Sequence, residues 1–260
     1  HNIKIEMDIV IIGTGNTANI LGHKLKAAGH NIIQIYGRNE HEASELAYEL
    51  DTESTNYWSI VNRNADIYII AVSDIAIEEV KRELLFSDKT VVHTAASVSK
   101  DVLKGTSEHY GVLYPLQSLK KGSGRLPDIP IIIDASDEAT LQELDALAHT
   151  ITQNVETAGD EERLKLHLAA VFCNNFVNHL YVLMEDYCRR EGISFNMLKP
   201  LIQETAVRIE TVAPADAQTG PAIRNDINTI QKHQQMLEAY PDLKEIYALF
   251  THSIQNSIKA

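Results

Sequence analysis

Ile9 to Ile12 (I-V-I-I) and Ile67 to Val72 (I-Y-I-I-A-V) are apolar at every position, so neither run can form a strand with one face in water. Each is strand-length, and each is followed closely by a helical pattern. Ala18, Leu21, Leu25 and Ala28 recur at helical spacing after the first, which begins at Met7, and Ile75 to Leu85 reads as a helix after the second. Asn31 to Tyr36, Thr90 to His93, Gly111 to Tyr114 and Ile129 to Asp134 read as further strands. Glu40 to Leu50, Tyr57 to Asn64 and Asp137 to Thr150 read as helices. Doubly buried strands alternating with helices predict an α/β fold with a mostly parallel sheet covered by helices.

From about Asp160 helical spacing persists almost to the end and no strand-like run follows. One long helix is expected from Glu161 to Glu191, with others at Phe195 to Thr211, Pro221 to Tyr240 and Pro241 to Ile258. The chain therefore divides into an α/β domain, residues 1–157, and an all-helical domain, residues 158–260.

The segment between the first strand and its helix is G-T-G-N-T-A. In that place Gly13 allows the tight turn, Gly15 admits a pyrophosphate to the backbone, and Ala18 lets helix pack closely on strand; Thr14, Asn16 and Thr17 complete the turn. The helix N-terminus adds amide donors and a positive dipole end. A dinucleotide is thus the expected ligand. The end of the second strand reads Tyr36-Gly37-Arg38-Asn39, without the carboxylate that accepts from a ribose 2′-hydroxyl. Arg38 suits a 2′-phosphate and Asn39 adds a hydrogen bond, so NADP is expected over NAD. Ala71, Val72 and Ser73, following the third apolar strand, are expected on the nicotinamide side.

Charge agrees with a local phosphate site rather than a broad anionic partner. The 260 residues hold 36 acidic and 23 basic side chains, a formal −13, which disfavours nucleic acid and anionic membrane as partners. The stretch through Arg38 is the exception, carrying Lys4, Lys24, Lys26 and Arg38 against Glu6 and Asp8. No apolar run approaches the roughly 20 residues of a membrane span. Cys173 and Cys188 fall fifteen residues apart in one expected helix, too far for a disulfide. No C-x-x-C or H-E-x-x-H spacing offers metal ligands, so no metal is expected. His1 to Glu6 lacks the basic-then-apolar order of a signal peptide, and the cytoplasm is the expected location.

With G-T-G-N-T-A, I-Y-G-R-N and A-V-S-D in order, the first half resembles the pyrroline-5-carboxylate reductase and 6-phosphogluconate or 3-hydroxyacid dehydrogenase group. His93-Thr94-Ala95-Ala96-Ser97, Tyr114-Pro115-Leu116-Gln117, the helix around His167 to Asn175, and Thr219-Gly220-Pro221 with Arg224-Asn225-Asp226 extend the likeness. Together they resemble a bacterial family of Rossmann-like NADP oxidoreductases, related in name to deazaflavin-dependent enzymes. The resemblance implies an N-terminal Rossmann domain and a helical C-terminal domain of the 6-phosphogluconate dehydrogenase type. It also implies a homodimer formed through the helical domain. Hydroxyacid dehydrogenases of this group carry K-x-x-N-N in the first helix of that domain; here the segment reads Val171-Phe172-Cys173-Asn174-Asn175, with valine in the lysine's place.

The acid or base that hydride transfer at carbon needs must then come from elsewhere. His93, at a strand end beside the ligand crevice, is one candidate. His167 is the other, on a helical stripe with Val171, Asn174 and Asn178, where Asn174 and Asn175 would hold a carbonyl or the nicotinamide amide. Ser97 and Gln117 are expected to line a substrate pocket. Thr219-Gly220-Pro221 reads as a helix start, with Arg224 to clamp a substrate carboxylate and Asp226 to orient it. The expected activity is hydride transfer between NADP and a small carbonyl, imine or hydroxy compound in a cleft between the domains. The alternatives are an imine reductase like pyrroline-5-carboxylate reductase, and a non-catalytic NADP-binding sensor.

Overall fold

The computed structural model describes residues 6–122, 124 and 126–258; the start read from His1 lies, but for Glu6, outside the described residues. The chain forms two compact units, His1–Phe176 and Val177–Ala260.

The first unit is built on one eight-stranded sheet. Its strands are β1 (Asp8–Ile12), β2 (Asn31–Tyr36), β3 (Glu53–Thr55), β4 (Ile67–Ile70), β5 (Thr90–His93), β6 (His109–Pro115), β7 (Ile131–Ala135) and β8 (Val155–Thr157). They lie in the order β3-β2-β1-β4-β5-β6-β7-β8. Every pairing is parallel except β6 with β7. This is a Rossmann-like, mostly parallel α/β unit. The helices are α1 (Asn16–Ala27), α2 (Glu40–Glu49), α3 (Asp74–Glu83), α4 (Glu138–His149) and α5 (Asp160–Ala170).

Alternate residues of the central strands feed separate cores, as a sheet covered on both faces requires. Ile9, Ile11, Ile67 and Ile69 pack with Leu21, Leu25, Leu46 and Leu144 of α1, α2 and α4. Val10, Ile12, Tyr68 and Ile70 pack with Ile77 and Val80 of α3. At roughly 1.5–3 kcal/mol for each large apolar side chain fully buried, these strands dominate the unit's stability.

Three local expectations are corrected. Tyr57 to Asn64 is not a helix: the short strand β3 precedes it and only Trp58–Ile60 turns, as a single 3-10 turn. The long helix from Glu161 is not uniformly α-helical, since Val171–Phe176 winds as a π-helix before α6 (Val177–Glu191). The wider turn ends the even spacing assumed for His167, Val171 and Asn174, because the stripe presumed 3.6 residues per turn throughout. Thr219-Gly220-Pro221 does not open a helix either, as described next.

The helical unit comprises α6, α7 (Lys199–Arg208), α8 (Pro214–Ala217), α9 (Ile227–Met236) and α10 (Pro241–Ser257). Gly220 (φ 108°) and Asn225 (φ 54°) turn the chain before α9, and Asp226 caps that helix by accepting from the Thr229 amide at 3.1 Å. Few of its side chains are buried, Cys188, Ala222 and Ile230 among them. Among the described residues no helix is long and apolar enough to cross a membrane, and no group of three His, Cys, Asp or Glu is placed to share a metal ion.

Candidate active site

A cavity of about 670 Å³ lies along the C-terminal ends of the parallel strands of the first unit. Its lining follows the sheet order. Tyr36 to Asn39 come from the end of β2, Gly13 to Thr17 from β1 and α1, Ala71 to Asp74 from β4, Thr94 to Ser97 from β5, Tyr114 from β6 and His167 from α5. From β2 to β6 is four strand spacings of about 4.8 Å, roughly 19 Å, a span suited to an extended dinucleotide. This is the crevice where open α/β sheets bind ligands.

The two motif glycines are required for different reasons. Gly13 sits at φ 129°, and a Cβ there would lie 2.0 Å from the Ala71 carbonyl oxygen, so the protein's own packing demands glycine. Gly15 has an ordinary backbone (φ −78°) and nothing within 4 Å of where its Cβ would be. No protein atom forbids a side chain at that position; the open space belongs to the cavity. Gly15 is also the N-cap of α1, makes no side-chain cap and is followed by no acidic residue in the first turn. By contrast α2 and α4 are capped by Asn39 and Asp137. The α1 N-terminus therefore keeps its amide donors and positive end for an anion, and these residues fit a dinucleotide pyrophosphate.

At the β2 end, Arg38 is exposed and makes an ion pair of 3.6 Å with Glu79 of α3. Such a surface pair is worth at most about 1 kcal/mol, so the guanidinium is free to turn to a phosphate. Asn39 accepts from the Glu42 amide as the α2 cap, and the Thr14 hydroxyl donates to Glu42. All the expected cofactor residues line the cavity except Ala18, which is fully buried beneath the turn.

At the opposite end the Tyr114 hydroxyl and His167 Nδ1 are 3.2 Å apart, with the rings edge-on. Burial raises the Tyr114 pKa and the positive charge of Arg163 works against that rise. His167 and Ser97 are thus at the cavity as expected. His93 is not. It is fully buried, its Nδ1 accepts from the Ala95 amide at 3.0 Å, and its Nε2 donates to the Ser99 carbonyl at 3.1 Å. Burial lowers its pKa to about 4, outweighing the Ser99 bond. With both nitrogens engaged by the loop after β5, the imidazole is a brace for that loop, which corrects the acid–base role read for it.

Gln117 is exposed and reaches the Asp128 carbonyl in its own loop. Asn174 and Asn175 sit exposed on the π-helical turn and do not line the cavity. Arg224 and Asp226 belong to the helical unit, where Asp226 is committed to the α9 cap.

Three contributors escaped the sequence reading. Tyr114 stood in a noted motif but without a partner until α5 brought His167 to it. Trp58, in the turn misread as a helix, lines the cavity beside Arg38. Arg163 is fully buried, and donates to the Ala95 and Val98 carbonyls and to Asp160 at 3.2, 2.6 and 2.9 Å. Asp160 also accepts from the Ser99 hydroxyl and the Lys100 amide. Burial pushes its pKa up, but these hydrogen bonds together hold it below the usual carboxylate range.

Known proteins share stretches of this sequence and its fold. Residues 8–97 match the family described as NADP oxidoreductase, coenzyme F420-dependent, and residues 129–254 match a domain of unknown function. No curated protein matches. Among solved structures, the chain is similar to "putative NADP oxidoreductase BF3122" of Bacteroides fragilis, at 38% identity over 97% of this chain and 99% of that one, with a TM-score of 0.90. It shares its fold with 1-pyrroline-5-carboxylate reductase of Streptococcus pyogenes, at 13% identity, 97% and 100% coverage and a TM-score of 0.67. It also shares it with an imine reductase of Myxococcus stipitatus in complex with NADP+, at 17% identity, 97% and 94% coverage and a TM-score of 0.63.

Proposed function

The chain belongs to the NADP oxidoreductase family of its Bacteroides fragilis relative, and from that premise we propose that it transfers hydride between NADP and a small carbonyl, imine or hydroxy compound beside Tyr114 and His167. The observation that carries this reading is the order of the cavity lining. Phosphate-binding groups stand at the β2 and β1 end, and a hydroxyl–imidazole pair stands at the β6 and α5 end.

When bound, NADP supplies or accepts the hydride at its nicotinamide ring. The α1 amides and Arg38 hold the phosphates, and Ala71 to Ser73 with Thr94 to Ser97 border the ring end. Reduction of a carbonyl leaves an oxygen that must gain a proton. With Nδ1 protonated, His167 donates to the Tyr114 oxygen, and the phenolic proton is free for the substrate; oxidation runs the same path backwards. This pair takes over the work of the lysine that Val171 replaces. Arg163 and Asp160 hold the loop after β5 in place, and His93 braces it from beneath.

Imine reduction is the second reading. It is favoured by Val171, because a protonated imine is already electrophilic and needs less acid assistance, and by the shared fold with imine-reducing proteins. We further propose a homodimer through the helical unit, where Met197, Leu201 and Leu249 are 78%, 64% and 69% exposed. Sedimentation of the full chain as a monomer at micromolar concentration would exclude it.

The test is NADPH oxidation against a panel of carbonyls, cyclic imines and a deazaflavin, the last because of the coenzyme in the family description. Tyr114→Phe and His167→Ala are expected to slow turnover by about 10²- to 10⁴-fold while NADPH affinity stays within a few-fold. Tight NADPH binding with no turnover on the whole panel would favour the sensor instead.

A further inference from the structure

The chain has a single tryptophan, and it stands in the cavity. Trp58 stacks on Tyr36, with ring centroids 3.7 Å apart and planes inclined by 20°. Tyr36 is the last residue of β2 and almost fully buried, so it fixes the indole from behind. Among the described residues no other ring covers Trp58, and none is a hydrogen-bond partner of its indole N–H. A partly buried indole usually finds a partner for that group. The turn and its N-cap otherwise present apolar surface to water, with Tyr57 62% and Ile60 59% exposed. Arg38 lines the same end of the cavity two residues beyond Tyr36, and Val80 of α3 contributes an apolar side.

We infer that the Trp58–Tyr36 stack is the wall on which the adenine ring of the dinucleotide lies. The inference rests on the reading of the cavity as an NADP site. A flat π-surface next to the guanidinium that takes the 2′-phosphate is where the purine of the same nucleoside falls, because ribose links base and phosphate within a few ångströms. Stacking makes no demand on base-edge hydrogen bonds, which suits a wall that offers at most one donor, the indole N–H. Trp58 therefore contributes to affinity for the adenosine half and reports on its occupancy.

The experiment follows tryptophan emission and calorimetric Kd for adenosine 2′,5′-bisphosphate, nicotinamide mononucleotide and NADPH with the full chain. Adenosine bisphosphate alone is expected to change Trp58 emission saturably, whereas nicotinamide mononucleotide is expected to leave it unaltered. Trp58→Ala is expected to weaken adenosine bisphosphate roughly 10- to 100-fold, and Trp58→Phe, which keeps a ring on Tyr36, to recover most of that loss. Should the alanine variant fail to fold, the emission response and the phenylalanine variant decide the matter. If the bisphosphate binds the wild type but emission does not respond and Trp58→Ala keeps the same Kd, the adenine wall is overturned and the NADP site stands. If neither NADPH nor the bisphosphate binds, both are overturned.

Discussion

Arg163 Nη2 donates to the Val98 carbonyl at 2.6 Å from a side chain with no solvent exposure. The same guanidinium holds the Ala95 carbonyl and Asp160, and Asp160 in turn holds Ser99 and Lys100. One buried cation thus fixes both ends of the segment that lines the cavity after β5. Its Nη1 is buried and has no hydrogen-bond partner among the described residues.

Removing that cation takes the side-chain donor from the Ala95 and Val98 carbonyls and one of the three donors from Asp160. Arg163→Met is expected to lower unfolding free energy by about 1–3 kcal/mol, the cost of leaving a buried acceptor unsatisfied, since Asp160 is 41% exposed and keeps Ser99 and Lys100 as donors. Amide exchange over Ala95–Lys100 should accelerate, and NADPH affinity should fall because Thr94 to Ser97 line its cavity. Unchanged exchange in this segment would show that something else holds it.

The contrast between the motif glycines is measurable. Gly13→Ala meets the Ala71 carbonyl and a left-handed backbone, so it should destabilise the fold by at least about 1–3 kcal/mol from backbone strain alone. Gly15→Ala meets no protein atom and should leave thermal unfolding almost unmoved while weakening NADPH. A Gly15→Ala variant that binds NADPH as tightly as wild type would remove the pyrophosphate from this turn.

The proposed 2′-phosphate contact of Arg38 makes the cofactor preference sensitive to Arg38 and to its ion-pair partner Glu79. Arg38→Ala removes a charge-assisted contact worth roughly 1.5–3 kcal/mol, so the NADPH-over-NADH affinity ratio should drop about 10- to 100-fold. Glu79→Gln releases Arg38 from a 3.6 Å surface pair and should raise the ratio, by no more than about five-fold. A ratio indifferent to both substitutions would place the 2′-phosphate elsewhere.

How much of this was legible depended on whether the signal was local. The strands β1, β2 and β5 were readable because burial on both faces leaves nearly unbroken apolar runs. The three-residue strands β3 and β8 were not: Glu53-Ser54-Thr55 and Val155-Glu156-Thr157 are short and mostly polar, and tertiary pairing at the sheet edges makes them strands. The glycine-rich turn was readable because its pattern lies within six consecutive residues. Tyr114 and His167 are 53 residues apart, and no pattern along the chain encodes their contact. His93 misled for a related reason. Its place at a strand end suits catalysis, but its two backbone partners are set by how the following loop folds back over it.

That folding back makes His93 a source of pH dependence. Burial holds its pKa at about 4, whereas the unfolded chain takes up the proton near 6.5. Between those values the unfolded state binds more protons, so the contribution is complete above pH 6.5 and is lost as pH falls toward 4. At about 1.4 kcal/mol per pH unit, the loss amounts to no more than about 3.5 kcal/mol over that window. Asp137, whose own depressed pKa is about 2, gives up its share only at lower pH. Burial lowers the His30 pKa as well, so the informative quantity is a difference between variants. His93→Gln should be less stable than wild type at pH 7, with the gap narrowing by roughly 2 kcal/mol at pH 5. Denaturant unfolding of both proteins across that range checks it, and parallel stability curves would return His93 to the list of groups open to solvent protons.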